Sequence, residues 1–364
     1  MTIVNYIIVF VVGFLVSLLL TPAVIKLAKK IGVVDKPNAR KVHTVSKPRL
    51  GGLSIYGGFI FAILYSTIFV GVTLPMSIIL GATIIVITGF LDDKFELSPI
   101  IKLLGQLVAA LVVLLNGIQI KVITIPFISG DIQISWIVAF VVSLVWIIGI
   151  TNAVNLIDGL DGLASGVSII AFSAIFTMAL IIGNTMVALL ALAVMGSTLA
   201  FLFFNFHPSK IFMGDTGSLL LGYLLAVGSL IGLKQVTFVT LIIPIIILGV
   251  PITDTLIAII RRKLNNQAIM SPDKNHLHHR LLAVGFTHRK AVLFIYGIAI
   301  YFAISAISFY KANLLGAAII FLGLLIVIQL LIEKLSLINN NYRPLLTFIR
   351  KIKVFVGSIP QRRI

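Results

Sequence analysis

Five short polar stretches interrupt an otherwise apolar chain, and the first is a pair of acids. Residues 92–96 read Asp-Asp-Lys-Phe-Glu and follow the apolar run Ile-Val-Ile-Thr-Gly-Phe-Leu. Two adjacent ionised carboxylates repel each other unless a cation lies between them. A hard divalent cation such as Mg²⁺ prefers oxygen ligands of this kind and bridges them to phosphate. The structural alternative is a charged stop at the end of a helix.

The second stretch spaces polar residues at a regular interval. Residues 152–162 read Asn-Ala-Val-Asn-Leu-Ile-Asp-Gly-Leu-Asp-Gly, with a polar side chain at every third position from 152 to 161. This spacing puts them on one side of a helix end or a broken turn, and the two glycines let a backbone approach a ligand closely. Helix capping could explain one such residue, but four of them at membrane depth would be costly without a partner.

The third stretch lies immediately before an apolar run. Residues 212–218 read Phe-Met-Gly-Asp-Thr-Gly-Ser. The amides at the start of the helix that follows could hold a phosphate. Capping of that helix by Asp215 explains the motif equally well.

The fourth stretch is rich in histidine. Residues 276–280 read His-Leu-His-His-Arg within a basic segment. Their spacing fits no standard zinc site, and no cysteine is available to complete one. Binding of a phosphorylated sugar is favoured, because His and Arg donate to phosphate and hydroxyl oxygens. A solvated basic loop is the alternative.

The fifth stretch combines basic residues with a glycine pair. Residues 47–52 read Lys-Pro-Arg-Leu-Gly-Gly, which suits a lipid phosphate or pyrophosphate and equally well a topology signal. Lys102 belongs with this stretch. It lies nine residues after Asp93, about two and a half helical turns, and could snorkel, meet the acids or meet a phosphate.

The composition decides which elements must position these residues. Of 364 residues, 60% are apolar and 11% are charged, against about 45–50% and roughly 25% in soluble domains. Soluble and disordered chains are therefore excluded, and we predict an all-α, polytopic transmembrane helical bundle. The absence of cysteine excludes disulfides and a cysteine nucleophile. The net charge of +17 indicates polyanionic partners, whether nucleic acid, anionic lipid or nucleotide, and its sign alone does not choose among them.

About eleven segments are apolar enough to span a bilayer. We assign residues 1–333 to the transmembrane domain, which carries the active site on its cytoplasmic face, and 334–364 to a basic cytoplasmic tail that anchors on lipid headgroups. The first segment is expected to be a retained span and not a signal peptide. The predicted spans lie near 4–25, 51–72, 75–91, 99–116, 134–151, 163–182, 185–204, 216–233, 236–259, 291–309 and 313–332.

The charges predict the orientation of the bundle. With the N-terminus outside, 25 of the 28 Lys and Arg residues fall on one face. The positive-inside rule makes that face cytoplasmic, with the C-terminus inside. Ten of the eleven acids lie on or near the same face. Because acids contribute little to orientation, their position predicts a cytoplasmic-face site where cations and carboxylates act together.

In this order, the five stretches resemble the bacterial polyprenyl-phosphate N-acetylhexosamine-1-phosphate transferases, a superfamily of polytopic membrane enzymes. The resemblance runs from about residue 36 to about residue 290. His-x-His-His-Arg-Leu is similar to the branch that uses UDP-N-acetylglucosamine, which includes the teichoic-acid and O-antigen initiating enzymes. The muramoyl-pentapeptide branch shows three consecutive histidines instead. Glu96 departs from the family pattern, so no ligand role is carried over to it.

The resemblance implies a role for each polar residue. In similar enzymes the residues matching Asn155 and Asp215 hold Mg²⁺ against the pyrophosphate. The residue matching Asp161 hydrogen-bonds uracil, and the residue matching Phe212 stacks on it. We expect Asn152 and Asp158 in the same nucleotide-binding group. We expect Asp92 and Asp93 to be catalytic. The residues expected to bind the sugar and the pyrophosphate are His276, His278, His279 and Arg280. Lys47 and Lys102 are expected to bind the lipid phosphate.

The predicted reaction is a single in-line displacement in the bacterial cytoplasmic membrane. An oxygen of undecaprenyl phosphate attacks the β-phosphorus of UDP-N-acetylglucosamine and UMP leaves, which starts a lipid-linked surface glycopolymer. Asp92 is the candidate for orienting or deprotonating the attacking phosphate. Oxygen ligands favour Mg²⁺, with Mn²⁺ as the alternative ion. The expected partners are therefore UDP-N-acetylglucosamine, undecaprenyl phosphate and membrane lipid, with no nucleic acid, and a homodimer is left open.

Three other functions share parts of this pattern. A phospho-N-acetylmuramoyl-pentapeptide transferase carries most of the same motifs. A membrane transporter would place its acids near the membrane midplane and contain inverted repeats. A membrane-anchored scaffold would tolerate the loss of Asp215.

Overall fold

Helices make up most of the computed structural model, which describes residues 2–35, 46–120, 122–123, 132–232, 241–268, 273, 275–338 and 342–357. Helices satisfy their own backbone polar groups, which lipid cannot do. In chain order they are α1 (Ile3–Lys30), α2 (Gly52–Tyr65), α3 (Met76–Phe95), α4 (Pro99–Leu115), α5 (Trp136–Ile157), α6 (Leu163–Ile182), α7 (Thr185–Asn205), α8 (Gly214–Gly232), α9 (Ile242–Ile247), α10 (Gly249–Leu264), α11 (Leu277–Ala283), α12 (His288–Lys311), α13 (Leu314–Lys334) and α14 (Pro344–Gly357).

Two very short antiparallel pairs accompany the helices. Strand β1 (Val34–Asp35) pairs with β2 (Lys47–Pro48), and β3 (Val122–Ile123) pairs with β4 (Ile132–Gln133). The first pair holds the basic stretch that begins at Lys47 against the bundle.

Nine helices in the described part of the chain are long and apolar enough to cross a membrane. They are α1, α2 with the π-helical turn Ser66–Val70 that extends it, α3, α5, α6, α7, α8, α12 and α13. Helix α4 is apolar but has only 17 residues. The all-α, polytopic membrane class predicted from the sequence is confirmed.

The span predicted at 236–259 does not form one helix. Residues 236–240 lie outside the described part, and the remainder divides into α9 and α10 at Leu248. Pro251 explains the break, because it has no N–H to donate to the carbonyl of Ile247 and its ring disfavours a continuous helix. In the predicted tail, residues 339–341 and 358–364 also lie outside the described part, whereas α14 lies within it.

Helix α8 is the central helix of the bundle. In its most apolar stretch 94% of the residues are buried, and it packs against α2, α3, α5 and α6. A Cβ added at Gly222 would lie 2.7 Å from Cα of Thr151, so glycine permits the close approach of α5. The hydroxyl of Tyr223, which is fully buried, donates to the carbonyl of Ile78 on α3 at 3.3 Å. These contacts fix where the polar start of α8 lies.

Candidate active site

The polar stretches meet at one end of the bundle. Helices α3 and α5 finish at this end, and α4 and α8 begin there. Pro99 at the start of α4 and the Ser98 hydroxyl, which accepts from the amide of Ile101 at 3.4 Å, determine where α4 begins. Residues from four separate helices therefore surround a common space.

Lys102 lies between two carboxylates. Its Nζ is 2.9 Å from Oδ2 of Asp92 and also donates to Oδ2 of Asp215. The three side chains are only 22%, 11% and 14% exposed, respectively. In such a partly buried setting two carboxylates repel strongly without a counter-charge. The lysine near the start of α4 therefore joins the end of α3 to the start of α8.

Asp93 has a different task from its neighbour Asp92. Its Oδ1 accepts from the amide of Asp215 at 2.9 Å, and its Oδ2 accepts from the amide and hydroxyl of Thr216 at 3.0 and 2.7 Å. Arg49 Nε lies 3.6 Å from the same side chain. A carboxylate at the N-terminus of a helix is stabilising. Asp93 thus caps α8 from a distance, which leaves Asp215, the cap expected from the motif, to face Lys102.

Asn155 adds an amide to this group. Its Nδ2 donates to the hydroxyl of Ser218 at 2.8 Å, one helical turn after Asp215 on α8. The amide oxygen of Asn155 and the carboxylates of Asp92 and Asp215 are hard donors of the kind that Mg²⁺ accepts. The Lys102 ammonium neutralises the carboxylates of Asp92 and Asp215 in this structure.

Asp161 forms the centre of a second group. Ser209 donates its amide to Oδ2 at 3.1 Å and its hydroxyl to Oδ1 at 2.8 Å. Lys47 Nζ and His207 Nδ1 lie 3.3 and 3.0 Å from Oδ2. Burial raises the pKa of Asp161, but the Ser209 hydrogen bonds, Lys47 and His207 outweigh it, so the pKa lies below its ordinary value. The side chain is therefore a carboxylate at neutral pH.

Lys47 lies with this second group and not with Lys102. Besides Asp161, it donates to the hydroxyl of Ser209 at 2.9 Å, and its Nζ is 4.9 Å from the centre of the Phe212 ring. Lys47 and Phe212, predicted for the lipid phosphate and the nucleotide, respectively, are thus neighbours.

The glycine pair that follows Lys47 allows close packing. The amide of Gly51 donates to the carbonyl of Phe212 at 3.1 Å, and that of Gly52 to the carbonyl of Met213 at 3.0 Å. A Cβ at Gly52 would lie 2.2 Å from the backbone nitrogen of Gly217. Glycine is required here because the start of α2 touches the start of α8, a structural role that the sequence pattern did not indicate.

Asp158 interacts electrostatically with both groups. Burial and then the charge of Asp215 raise the pKa of Asp158 to about 7, while Arg49 opposes this effect. Asp161 also raises it.

The histidine stretch contains a buried acid–base pair that sequence reasoning missed. Asp254 Oδ2 is 2.8 Å from Nδ1 of His276, and its Oδ1 accepts from the amide of Leu277 at 2.8 Å. Asp254 and His276 are both buried. The available signal was a lone acid in an apolar run, which at membrane depth requires a partner.

His278 packs against the second polar stretch. A Cβ at Gly159 would lie 2.2 Å from Nε2 of His278, and this buried nitrogen has no hydrogen-bond partner within the described residues. Burial, followed by the charge of His279, lowers the pKa of His278 to about 3, so the ring is neutral at pH 7. The rings of His278 and His279 lie 4.2 Å apart. Arg280 points to the far side, where Nε donates to the carbonyl of Leu335 at 2.8 Å.

Asn152 lies outside these groups, and its nucleotide-binding role stays a prediction. Its Nδ2 donates to Oε1 of Gln106 at 2.5 Å and to the carbonyl of Ile148 at 2.8 Å. Gln106 Nε2 donates back to Oδ1 at 3.3 Å. Position 152 is nearly one turn deeper in α5 than Asn155, so its side chain meets α4 within the bundle.

Ser209, His207 and His288 are further site residues that the motifs did not identify. The two histidine rings stack with their centres 4.1 Å apart, and single ligand atoms of Asp161, His207 and His288 lie within 4.8 Å of one another. Both oxygens of Asp161 already accept from Ser209, and Lys47 and His207 also lie against Oδ2. We therefore interpret this cluster as support for Asp161 and not as a metal centre.

The fold and the site together define a polytopic membrane enzyme with a charged site at one end of its helical bundle. Residues 75–233 match the family model Glycosyl transferase family 4. A Bacillus subtilis (strain 168) protein named "Probable undecaprenyl-phosphate N-acetylglucosaminyl 1-phosphate transferase" is 47% identical, over 96% of this chain and 97% of its own. The "Decaprenyl-phosphate N-acetylglucosaminephosphotransferase" of Mycolicibacterium smegmatis is 34% identical, over 86% and 84%. The "Undecaprenyl-phosphate alpha-N-acetylglucosaminyl 1-phosphate transferase" of Escherichia coli K12 is 30% identical, over 74% of each chain.

The chain belongs to the polyprenyl-phosphate N-acetylhexosamine-1-phosphate transferase superfamily.

Proposed function

We propose that this protein transfers N-acetylglucosamine 1-phosphate from UDP-N-acetylglucosamine to undecaprenyl phosphate and releases UMP. The observation that carries the proposal is the Asp92–Lys102–Asp215 cluster, which adjoins the Asp161 group at one end of a membrane bundle. The names of the three relatives support the same donor sugar and a polyprenyl phosphate acceptor.

The reaction is an in-line displacement at phosphorus. An oxygen of the lipid phosphate forms a bond to the β-phosphorus, and the bond from that phosphorus to the bridging oxygen breaks, so UMP leaves with the oxygen. Because three anionic groups approach one another, neutralising their charge is the main task of the site. Lys102 supplies a fixed positive charge at the centre of the first group.

Asp92, Asp215 and Asn155 are the residues that would hold Mg²⁺, and Mn²⁺ would fit the same oxygen donors. When bound, the ion would neutralise charge on the pyrophosphate. Asp92 orients the attacking phosphate, which is already mostly ionised at neutral pH because its second pKa is about 6. Asp93 positions the start of α8 and does not itself meet the reacting atoms.

The Asp161 group binds the nucleotide. The Asp161 carboxylate accepts from the uracil N–H, and the Phe212 ring offers a stacking surface beside the Lys47 ammonium. We place Lys47 with the nucleotide because of these neighbours. His276, His278 and His279 receive the sugar and the pyrophosphate, with Arg280 behind them.

The site faces the cytoplasm in this proposal, with the N-terminus outside and the protein in the bacterial cytoplasmic membrane. The support is the charge distribution, in which Lys and Arg collect on the site side of the bundle.

The decisive experiment measures UMP release by the purified full chain in lipid nanodiscs. Each of several UDP-sugars is supplied with undecaprenyl phosphate, with Mg²⁺ or with EDTA. We expect metal-dependent UMP release with UDP-N-acetylglucosamine and none when the lipid acceptor is omitted. Turnover only with UDP-N-acetylmuramoyl-pentapeptide would assign the protein to the muramoyl branch. Uptake of a solute into vesicles without UMP release would indicate a transporter.

A matched pair of variants tests the site. We expect Asp215→Ala to abolish turnover while the protein still inserts into membranes. Glu96→Gln changes an exposed acid outside the cluster and should keep turnover near that of the unmodified protein. Full activity of Asp215→Ala would contradict the proposed site.

A further inference from the structure

The chain after α13 is attached to α11, which carries the histidine stretch, and to α10, which precedes it in the chain. Arg280 on α11 donates Nε to the carbonyl of Leu335 at 2.8 Å, and Arg261 on α10 donates Nη1 to the carbonyl of Leu337. Arg261 is itself held by Asp273. The segment 335–337 is therefore joined by side chains to α11 and to α10.

The start of α14 is attached to the end of α13. Glu333, which is fully buried, accepts from the amides of Leu345 and Leu346 at 2.7 Å each and from Nε2 of Gln329 at 2.6 Å. A carboxylate in this position caps a helix N-terminus. Because α13 is long and apolar enough to cross the membrane and ends at Lys334, the cap holds the beginning of α14 at the level of the membrane surface.

The sequence of α14 is that of a helix that lies in a membrane surface. Apolar residues occupy positions 345, 348, 349, 352, 355 and 356, which recur at intervals of three and four and form one face. Residues 343–357 contain four basic residues and no acid. The Phe348 side chain on this face is 59% exposed. An apolar face edged by basic residues is typical of interfacial helices on anionic lipid.

We propose that α14 lies in the plane of the bilayer on anionic headgroups and, through segment 335–337, holds the histidine helix α11 in place. The effect of α14 on turnover rests on the proposed function, whereas the contact of α14 with lipid does not. Anionic lipid of the same membrane is thus a partner that, through α14 and segment 335–337, stabilises the position of the histidine stretch.

The contact can be measured without any assay of activity, because the chain has no cysteine and a single introduced one can be labelled. Phe348→Cys places a spin label on the apolar face, and Thr347→Cys places it one residue earlier, away from that face. In nanodiscs with 30% phosphatidylglycerol, we expect a lipid-phase relaxation agent to act at least ~3-fold more strongly at 348 than at 347. Equal values at the two positions would overturn the proposal.

The link to the site is tested by charge removal. The triple variant Arg350→Gln, Lys351→Gln, Lys353→Gln should lose the lipid-phase signal of a label at 348 and lower UMP release by at least ~5-fold in anionic discs. The matched control removes three exposed charges from the end of α1, by Lys26→Gln, Lys29→Gln and Lys30→Gln, and should retain both. A triple variant with unchanged label depth and turnover overturns the proposal. A chain with the expected depth that releases no UMP from any donor contradicts the proposed function and leaves the lipid contact standing.

Discussion

Asp254→Asn tests whether the buried acid determines which ring nitrogen of His276 carries the proton. In the present structure the two oxygens of Asp254 accept from the amide of Leu277 and from Nδ1 of His276, each at 2.8 Å. The carboxylate therefore keeps the proton on Nδ1, so Nε2 is the nitrogen left for a ligand. This pair is well suited to the substitution because both of its contacts are defined.

The expected effect follows from the orientation of the introduced side-chain amide. The N–H of Leu277 needs an acceptor, so the single oxygen of that amide must stay there and its nitrogen must face His276. His276 can then only accept at Nδ1, which moves its proton to Nε2. The hydrogen bond from His276 to a carboxylate is thereby replaced by one between neutral groups, and Nε2 can no longer accept from a ligand; a hydrogen bond to a charged group is worth about 1.5–3 kcal/mol. At about 1.4 kcal/mol for each factor of ten, we expect kcat/KM to fall by about 10- to 150-fold.

The assay is steady-state UMP release, compared with thermal unfolding of the same preparations. Asp254→Asn keeps an acceptor for Leu277, so its melting temperature should stay close to that of the unmodified protein. Asp254→Ala leaves that buried amide unpaired, which costs about 1–3 kcal/mol, and should unfold at a lower temperature. An Asp254→Asn enzyme with unchanged kcat/KM would refute the reasoning.

Three further predictions concern the remainder of the site. Lys102→Met removes the cation between the two carboxylates and should lower the kcat/KM of UMP release by about 100-fold or more, whereas the exposed Lys94→Met should have little effect. Gly52→Ala brings a Cβ to 2.2 Å from the backbone of α8 and should destabilise the fold by about 1–3 kcal/mol in thermal unfolding. In the control Gly149→Ala the Cβ meets open space, so this variant should be neutral or slightly stabilising. The pKa of Asp158 is about 7 in the folded chain and near 3.9 in the unfolded chain. This group therefore makes stability fall as pH rises from about 4 to about 7. Asp158→Asn should remove that pH dependence from melting curves recorded in EDTA.

The motifs and the membrane helices could be predicted because both are local. An apolar run of about 20 residues indicates a span regardless of its partners, so α6, α7 and α8 were predicted close to their observed limits, whereas α5 continues six residues past its predicted end. Each polar stretch interrupts such a run, which places it at a helix end. The division of 236–259 also has a local cause, Pro251, although hydropathy alone did not detect it.

What the sequence by itself determined was the set of polar residues and the kind of element that carries each. Only the tertiary structure decided which of these residues meet. Asp92 and Asp93 are adjacent and alike in sequence, yet Asp92 meets Lys102 and Asp93 caps α8, because successive residues of a helix point in directions about 100° apart. Lys47 reaches Asp161 across 114 positions of the chain. Such pairings depend on how helices pack, and the spacing of residues along one segment carries no information about the surface that another segment presents.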